Sequence, residues 1–165
     1  SRKKMNAATD LTYKMINSPS KLENFVRAIE NEKAVGVDLE ADSMYHFKEK
    51  VCLVQMAAEN LNVVIDPLIV KDLSPLKPIF ERRDICKIFH GADYDVRSLY
   101  RDFGITIHNL FDTELACRFL GFPESGLEAV LKKKFGVTLD KKYQRKDCSI
   151  CPLPSDMFAY AAEDA

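Results

Sequence analysis

Asp38 and Glu40 stand two residues apart in the run Val-Gly-Val-Asp-Leu-Glu, Val35 to Glu40. The run is apolar and valine-rich, which predicts a strand. Successive side chains on a strand point to opposite faces, so the two carboxylates share a face with Cα atoms roughly 6–7 Å apart. At about 6 Å and an effective dielectric near 20, two such charges repel by roughly 3 kcal/mol. Bound divalent cations would offset that repulsion, since Mg²⁺ and Mn²⁺ favour carboxylate oxygens. The alternative is that Glu40 ends the strand and faces water.

Two further groups bear on the choice. His90-Gly91-Ala92-Asp93-Tyr94-Asp95 reads as a strand-to-helix turn carrying two acids, and functional groups gather at the C-terminal ends of strands in α/β sheets. Asp93 is expected to be a plain N-cap, while Asp95 is either a first-turn acid suited to the helix dipole or a functional carboxylate. Tyr160 and Asp164 are four apart on a predicted final helix and share a face, with small alanines between them. That pair alone is most simply a structural hydrogen bond. The other reading is a phenol that positions water beside a metal ligand.

The elements that must position these residues follow from periodicity. Residues 1–20 read as an extended lead-in, and the domain proper as 21–165. A helix capped by Ser20 is expected over 21–31, with Leu22, Phe25, Val26 and Ile29 on its apolar face. Strands are expected at 34–39, 51–57 and 61–65, joined by short links as an antiparallel meander. Ser74 and Pro75 open a helix to Glu81. A strand at 85–89 precedes a helix from about Asp93 to Phe103, stopped by Gly104. Ile107 to Phe111 reads as a strand, Asp112 as the cap of a helix to Leu120 rather than a further ligand, and helices follow at 126–135 and from Asp156 on. A meander followed by alternating strands and helices predicts an α/β mixed sheet, antiparallel then parallel, with helices on both faces. Gln55, on the second strand, either hydrogen-bonds near the acids or is a satisfied core amide.

Composition sets limits. The 165 residues suit one domain, 47% apolar and 30% charged as in ordinary globular chains. The net charge of −1 gives no global basic field to hold nucleic acid. No apolar run is long enough to span a membrane. Cys52, Cys86 and Cys117 lie in apolar runs and read as buried thiols. Cys148 and Cys151 form a lone Cys-x-x-Cys, too little by itself for zinc or redox work. An odd cysteine count fits a reducing compartment, so the expectation is cytoplasmic, or nuclear in a eukaryote.

Taken in order, Val-Asp-Leu-Glu (37–40), Cys-Leu-Val-Gln-Met (52–56), Ile-Asp-Pro (65–67), Phe-His-Gly-Ala-x-x-Asp (89–95), Asp-Phe-Gly-Ile (102–105), Asn-Leu-Phe-Asp-Thr (109–113), Pro-Leu-Pro (152–154) and Tyr-Ala-x-x-Asp (160–164) form a pattern. It resembles the ribonuclease D family of 3′→5′ exonucleases, the tyrosine-bearing branch of the four-acid exonucleases, which has a ribonuclease H-like fold. The resemblance runs from about Leu22 to Ala165. It implies that Asp38, Glu40, Asp95 and Asp164 hold two divalent ions, Mg²⁺ or Mn²⁺, and that Tyr160 positions the attacking water. Two cations about 3.5–4 Å apart can orient a phosphodiester and stabilise both attacking and leaving oxygens.

The implied activity is metal-dependent hydrolysis of single-stranded RNA from its 3′ end, releasing nucleoside 5′-monophosphates. A DNA exonuclease of the Werner type, and a weakly catalytic nucleic-acid-binding module on the same fold, are the alternatives. Tyr45, His46 and Phe47, with His90, are candidates to hold the 3′-terminal nucleotide. Lys142 and Arg145 are candidates to track phosphates, more so than Lys132, Lys133 and Lys134. The family usually has Asp-Trp-x-x-Arg-Pro-Leu before the last helix. Here Cys148 and Cys151 stand in the Trp and Arg places, a change expected to alter loop packing and product affinity rather than the ligands. Ribonuclease D proper also carries C-terminal helical RNA-binding modules, and this sequence ends one residue past Asp164.

Overall fold

The apolar alternation of the first half condenses into the middle of a sheet. In the computed structural model, residues 13–42 and 48–135 are described. Six strands, β1 (Tyr13–Ile16), β2 (Ala34–Asp42), β3 (Lys50–Ala58), β4 (Leu61–Ile65), β5 (Cys86–Phe89) and β6 (Leu110–Asp112), line up in the order β1-β4-β3-β2-β5-β6. The meander β2-β3-β4 is antiparallel, as expected, while β1 joins β4 and β5 and β6 extend from β2 in parallel. Six helices accompany the strands: α1 (Pro19–Ile29), α2 (Pro67–Val70), α3 (Lys77–Glu81), α4 (Ala92–Phe103), α5 (Thr113–Phe119) and α6 (Leu127–Phe135).

The core forms where helix and strand periods coincide. Leu22, Phe25 and Ile29 of α1, Ile79 and Phe80 of α3, and Ala92 and Leu99 of α4 join Val35, Val37 and Leu39 of β2 in one buried cluster. Six consecutive residues of β3, Val51 to Met56, are buried, which is the mark of a strand covered on both faces. Gly104 ends α4 in a left-handed conformation at φ +62°, with its N–H bonded to Tyr100 O, as its predicted role as helix stop requires.

Three expectations need correction. The lead-in expected over residues 1–20 gives way at Tyr13, where β1 adds a parallel edge strand to β4. Parallel pairing has no hairpin signal in the sequence, so four residues of it pass as a linker. The cap of α1 is Ser18, whose Oγ accepts from Lys21 N at 3.3 Å, because Pro19 suits the first helical position better than Ser20 suits the cap. Ser74 opens a single 3₁₀ turn, Ser74–Leu76, ahead of α3 rather than one helix to Glu81.

Lys87, on β5, is fully buried. Its ammonium donates to the carbonyls of Arg82 and Ile85 at 2.6 Å each and of Ile79 at 3.3 Å. It thereby closes the C-terminal end of α3, where carbonyls have no partners within the helix. Burial holds its pKa below the usual lysine range. Removing the ammonium would strand three carbonyls, so Lys87→Met is expected to lower stability by about 3 kcal/mol, read from urea unfolding midpoints. An unchanged midpoint would show that the three bonds contribute nothing net.

Candidate active site

Strand β2 carries both the core and the acids because of its period of two. Val35, Val37 and Leu39 are buried on one face, and Gly36, Asp38 and Glu40 alternate with them, each half-buried. In the antiparallel register Asp38 stands opposite Gln55 and Glu40 opposite Leu53. The ladder then slips between Glu40 and Ala41. A bulge there bends the strand and turns its last side chains. The Cys52 thiol, itself buried, donates to the Glu40 carbonyl at 3.3 Å beside that slip.

The second acid-bearing element reaches the same end of the sheet. Strand β5 runs parallel to β2, with Gly36 paired to Ile88. Two residues further along each chain stand Asp38 and His90. The chain turns at Gly91, at φ +78°, and enters α4 at Ala92. This left-handed turn favours glycine. Gly91 is therefore the N-cap, correcting the expectation for Asp93. Asp93 is an exposed first-turn residue bonded to Arg97 at 3.0 Å. The reason lies across the chain, where Asp112 accepts from Gly91 N at 3.0 Å and Ala92 N at 2.8 Å. The same carboxylate accepts from Glu114 N and Leu115 N at 2.9 and 3.2 Å, capping α5 as the sequence predicts. Burial alone would push Asp112 upward, but these four donors outweigh it and hold its pKa below the usual carboxylate range.

Asp95 lies on the inner face of the first turn of α4, 7% exposed. Burial, and secondarily the Asp112 charge, push its pKa up to about 7. A carboxyl in this position resists ionisation unless a positive charge is supplied. His90 is oriented by Thr113. The Thr113 hydroxyl donates its one proton to Phe89 O at 3.0 Å, so its 2.8 Å contact with His90 Nδ1 is made by an Nδ1–H donor. In the neutral ring Nε2 is then an acceptor, and it is buried with no partner among the described residues. Gln55 is likewise buried, and neither its Oε1 nor its Nε2 has a partner there, which overturns the satisfied-amide reading.

The structure thus sets Asp38 and Glu40 in the second half of β2, with His90 just past the end of the adjacent parallel strand β5 and Asp95 in the first turn of the helix that follows it. Tyr45, His46, Phe47, Lys142, Arg145, Tyr160 and Asp164, with Cys148 and Cys151, lie outside the described residues. Lys133 and Lys134 place their ammonium groups 4.9 and 5.0 Å from the centre of the Phe122 ring. Sequence reading missed the reach of Asp112 to the α4 turn and the hold of Thr113 on His90. Only the apposition of β5 and β6 brings those groups together. Among the described residues no three His, Cys, Asp or Glu side chains cluster closely enough to hold a metal by themselves. The carboxylate oxygens of Asp38, Glu40 and Asp95 are the hard donors a divalent cation completed by a further ligand would take.

Comparison with known proteins decides the family. Residues 13–165 match the family model described as 3′-5′ exonuclease. The chain belongs to the 3′-5′ exonuclease family. Within it, the chain is 36% identical over 155 residues to protein RRP6-like 3 of Arabidopsis thaliana, covering 93% of this chain and 17% of that protein. The catalytic core of RRP6 from Trypanosoma brucei superposes with a TM-score of 0.89 at 34% identity, covering 94% of this chain and 44% of that one. Escherichia coli RNase D, an exoribonuclease involved in structured RNA processing, gives 0.87 at 31% identity over 93% of this chain and 41% of its own. This exonuclease-family chain spans less than a fifth of the length of the curated relatives it matches first. The mixed sheet is that of the RRP6 and RNase D exonuclease domains, as the ribonuclease H-like expectation required.

The raised pKa of Asp95 has a consequence for stability. In chelator, the unfolded carboxyl ionises near its ordinary 3.8 while the folded one keeps its proton to about 7. Between those values the folded state binds more protons, so this group's stabilising contribution falls as pH rises and is lost above about 7. Asp95→Asn is therefore expected to gain on the wild type by up to about 4 kcal/mol between pH 4 and 8. Urea midpoints at a series of pH values measure it, and a pH-independent difference would refute the burial argument.

Proposed function

We propose that this chain is a divalent-metal-dependent 3′→5′ exoribonuclease domain that shortens single-stranded RNA and releases nucleoside 5′-monophosphates. The observation that carries the reading is the buried Asp95 carboxyl in the first turn of α4, the helix that follows the strand paired in parallel with the Asp38- and Glu40-bearing β2, in a member of the 3′-5′ exonuclease family. RNA is favoured over DNA because a neighbour at 31% identity, RNase D, is an exoribonuclease.

In this reading Asp38, Glu40, Asp95 and Asp164 hold two divalent cations, Mg²⁺ or Mn²⁺. When bound, these supply charge stabilisation for the attacking and leaving oxygens of an in-line displacement. The rest is positioning. Strand β2 fixes the spacing of Asp38 and Glu40, so their oxygens need no reorganisation as the phosphodiester enters. Positive charge at the site favours the ionised form of Asp95, whose pKa burial raises to about 7. Tyr160 orients the attacking water toward the phosphorus. Tyr45, His46 and Phe47 hold the terminal base by stacking, and Lys142 and Arg145 pair with phosphates upstream. His90 Nε2, fixed as an acceptor, takes a hydrogen bond from a hydroxyl of the terminal nucleotide or from its water. Buried Cys52 and Cys117 suit a reducing compartment, cytoplasm or nucleus. Among the described residues no helix is long and apolar enough to cross a membrane.

The decisive experiment is a time course on RNA and matched DNA labelled at the 5′ end, with Mn²⁺, with Mg²⁺ and with chelator. The expected outcome is a metal-dependent ladder shortening from the 3′ end, faster on RNA, and slowed at least about 10²-fold by Asp38→Ala. A faster ladder on DNA would replace the substrate assignment. Binding without shortening of either strand would leave a nucleic-acid-binding module.

A further inference from the structure

Among the described residues, three buried side-chain polar atoms lack a partner: Gln55 Oε1, Gln55 Nε2 and His90 Nε2. Both residues flank Asp38. Gln55 is its direct partner across the β2–β3 ladder, and His90 stands at its level just past the end of β5. A buried primary amide with neither atom bonded forfeits both hydrogen bonds it would make in water, a cost a core glutamine normally avoids. An apolar residue of the same shape would avoid it entirely.

The neighbours of Gln55 say where its bond must go. On its own strand the same-face residues are Leu53 and Ala57, and across β4 its partner is Val64, all without polar side chains. Across β2 its partner is Asp38. Cβ atoms of directly opposed antiparallel residues lie about 4.5–5.5 Å apart, well within the reach of a glutamine side chain. Asp38 is thus the one partner in this ring of neighbours that can accept from Nε2.

We propose that Gln55 is a positioning residue for Asp38. When a divalent cation binds, the Gln55 side chain, unbonded in this structure, turns its Nε2–H to one Asp38 oxygen and leaves the other to face the cation. This deepens the function proposed above and rests on its metal site. Outer hydrogen bonds of this kind fix a ligand's orientation, and their loss weakens metal affinity by about 10–100-fold. A neutral amide suits the task better than a lysine or arginine, because it restrains the carboxylate without competing for its charge.

The test uses the full 165-residue chain. Mn²⁺ is titrated into wild type, Gln55→Met, Gln55→Asn and Asp38→Ala, with free Mn²⁺ followed by electron paramagnetic resonance. Thermal melts in chelator are run alongside. Gln55→Met keeps the volume and removes the donor. It should melt at or above the wild type in chelator, bind Mn²⁺ about 10–100-fold more weakly, and lose kcat on RNA with little change in KM. Gln55→Asn keeps an amide one methylene short of Asp38 and should also weaken Mn²⁺ binding. It carries the test should Gln55→Met fail to fold.

A folded variant of either kind that binds Mn²⁺ as tightly as wild type overturns the assignment and makes Gln55 a packing residue. The readouts separate this failure from the larger one. Wild type that binds no Mn²⁺, or Asp38→Ala that binds it equally well, would refute the metal site itself and Gln55 with it.

Discussion

The period of two along β2 is the constraint on which this molecule depends. Val35, Val37 and Leu39 anchor the largest cluster of apolar side chains, and the residues between them are Gly36, Asp38 and Glu40. Slipping the strand by one residue would exchange the two sets, burying the acids among α1, α3 and α4 and exposing the valines. The register that stabilises the core is therefore the register that presents the carboxylates. That coupling explains how a chain of net charge −1 holds two acids at fixed spacing on a core strand. The cost of their repulsion is carried by the whole fold rather than by a local loop.

A second tie joins the later strands to that frame. The carboxylate of Asp112 takes four backbone N–H groups, two from the start of α4 and two from the start of α5. Two helices that begin 21 positions apart, at Ala92 and Thr113, are thereby fixed to one point at the end of β6. The geometry has an electrostatic side effect. The charge that organises the turn also sits near enough to Asp95 to discourage its ionisation. The residue that places Asp95 therefore also makes it a poor anion in the absence of a cation, and the structural and chemical roles of Asp112 cannot be separated by substitution alone.

Much of this was legible from the residues, and what was not shares a cause. The meander, the capping of α5 by Asp112 and the stop at Gly104 are local features, written in alternation, side-chain acceptors and glycine, and the structure has them all. The edge strand β1, the burial of Lys87, the N-cap at Gly91 and the orientation of His90 each depend on a partner distant in the chain. A lysine in the apolar strand 85–89 has no local partner in the sequence, and its burial rests on the carbonyls of Ile79, Arg82 and Ile85. Asp93 looks the better cap until Asp112 has already satisfied the helix start. The family pattern supplied the long-range juxtaposition of Asp38, Glu40 and Asp95 that periodicity could not, because ordered motifs record tertiary neighbours that a local window does not contain.

Where the fold departs from good pairing is itself informative. Its described polar groups are largely satisfied, down to a buried lysine with three carbonyls. The exceptions come from three elements around β2: a glutamine of β3 with no bonds, a histidine past the end of β5 with one nitrogen spare, and a carboxyl in the first turn of α4 whose pKa is displaced to about 7. Each of these weakens the isolated chain, and an apolar or neutral replacement would relieve it. Sequences keep such local conflicts where the missing partners arrive with a ligand. The pattern around Asp38 is thus an argument for function independent of any resemblance. A domain retained only for its fold would gain stability by filling these positions with leucine, methionine and asparagine, and this chain has not.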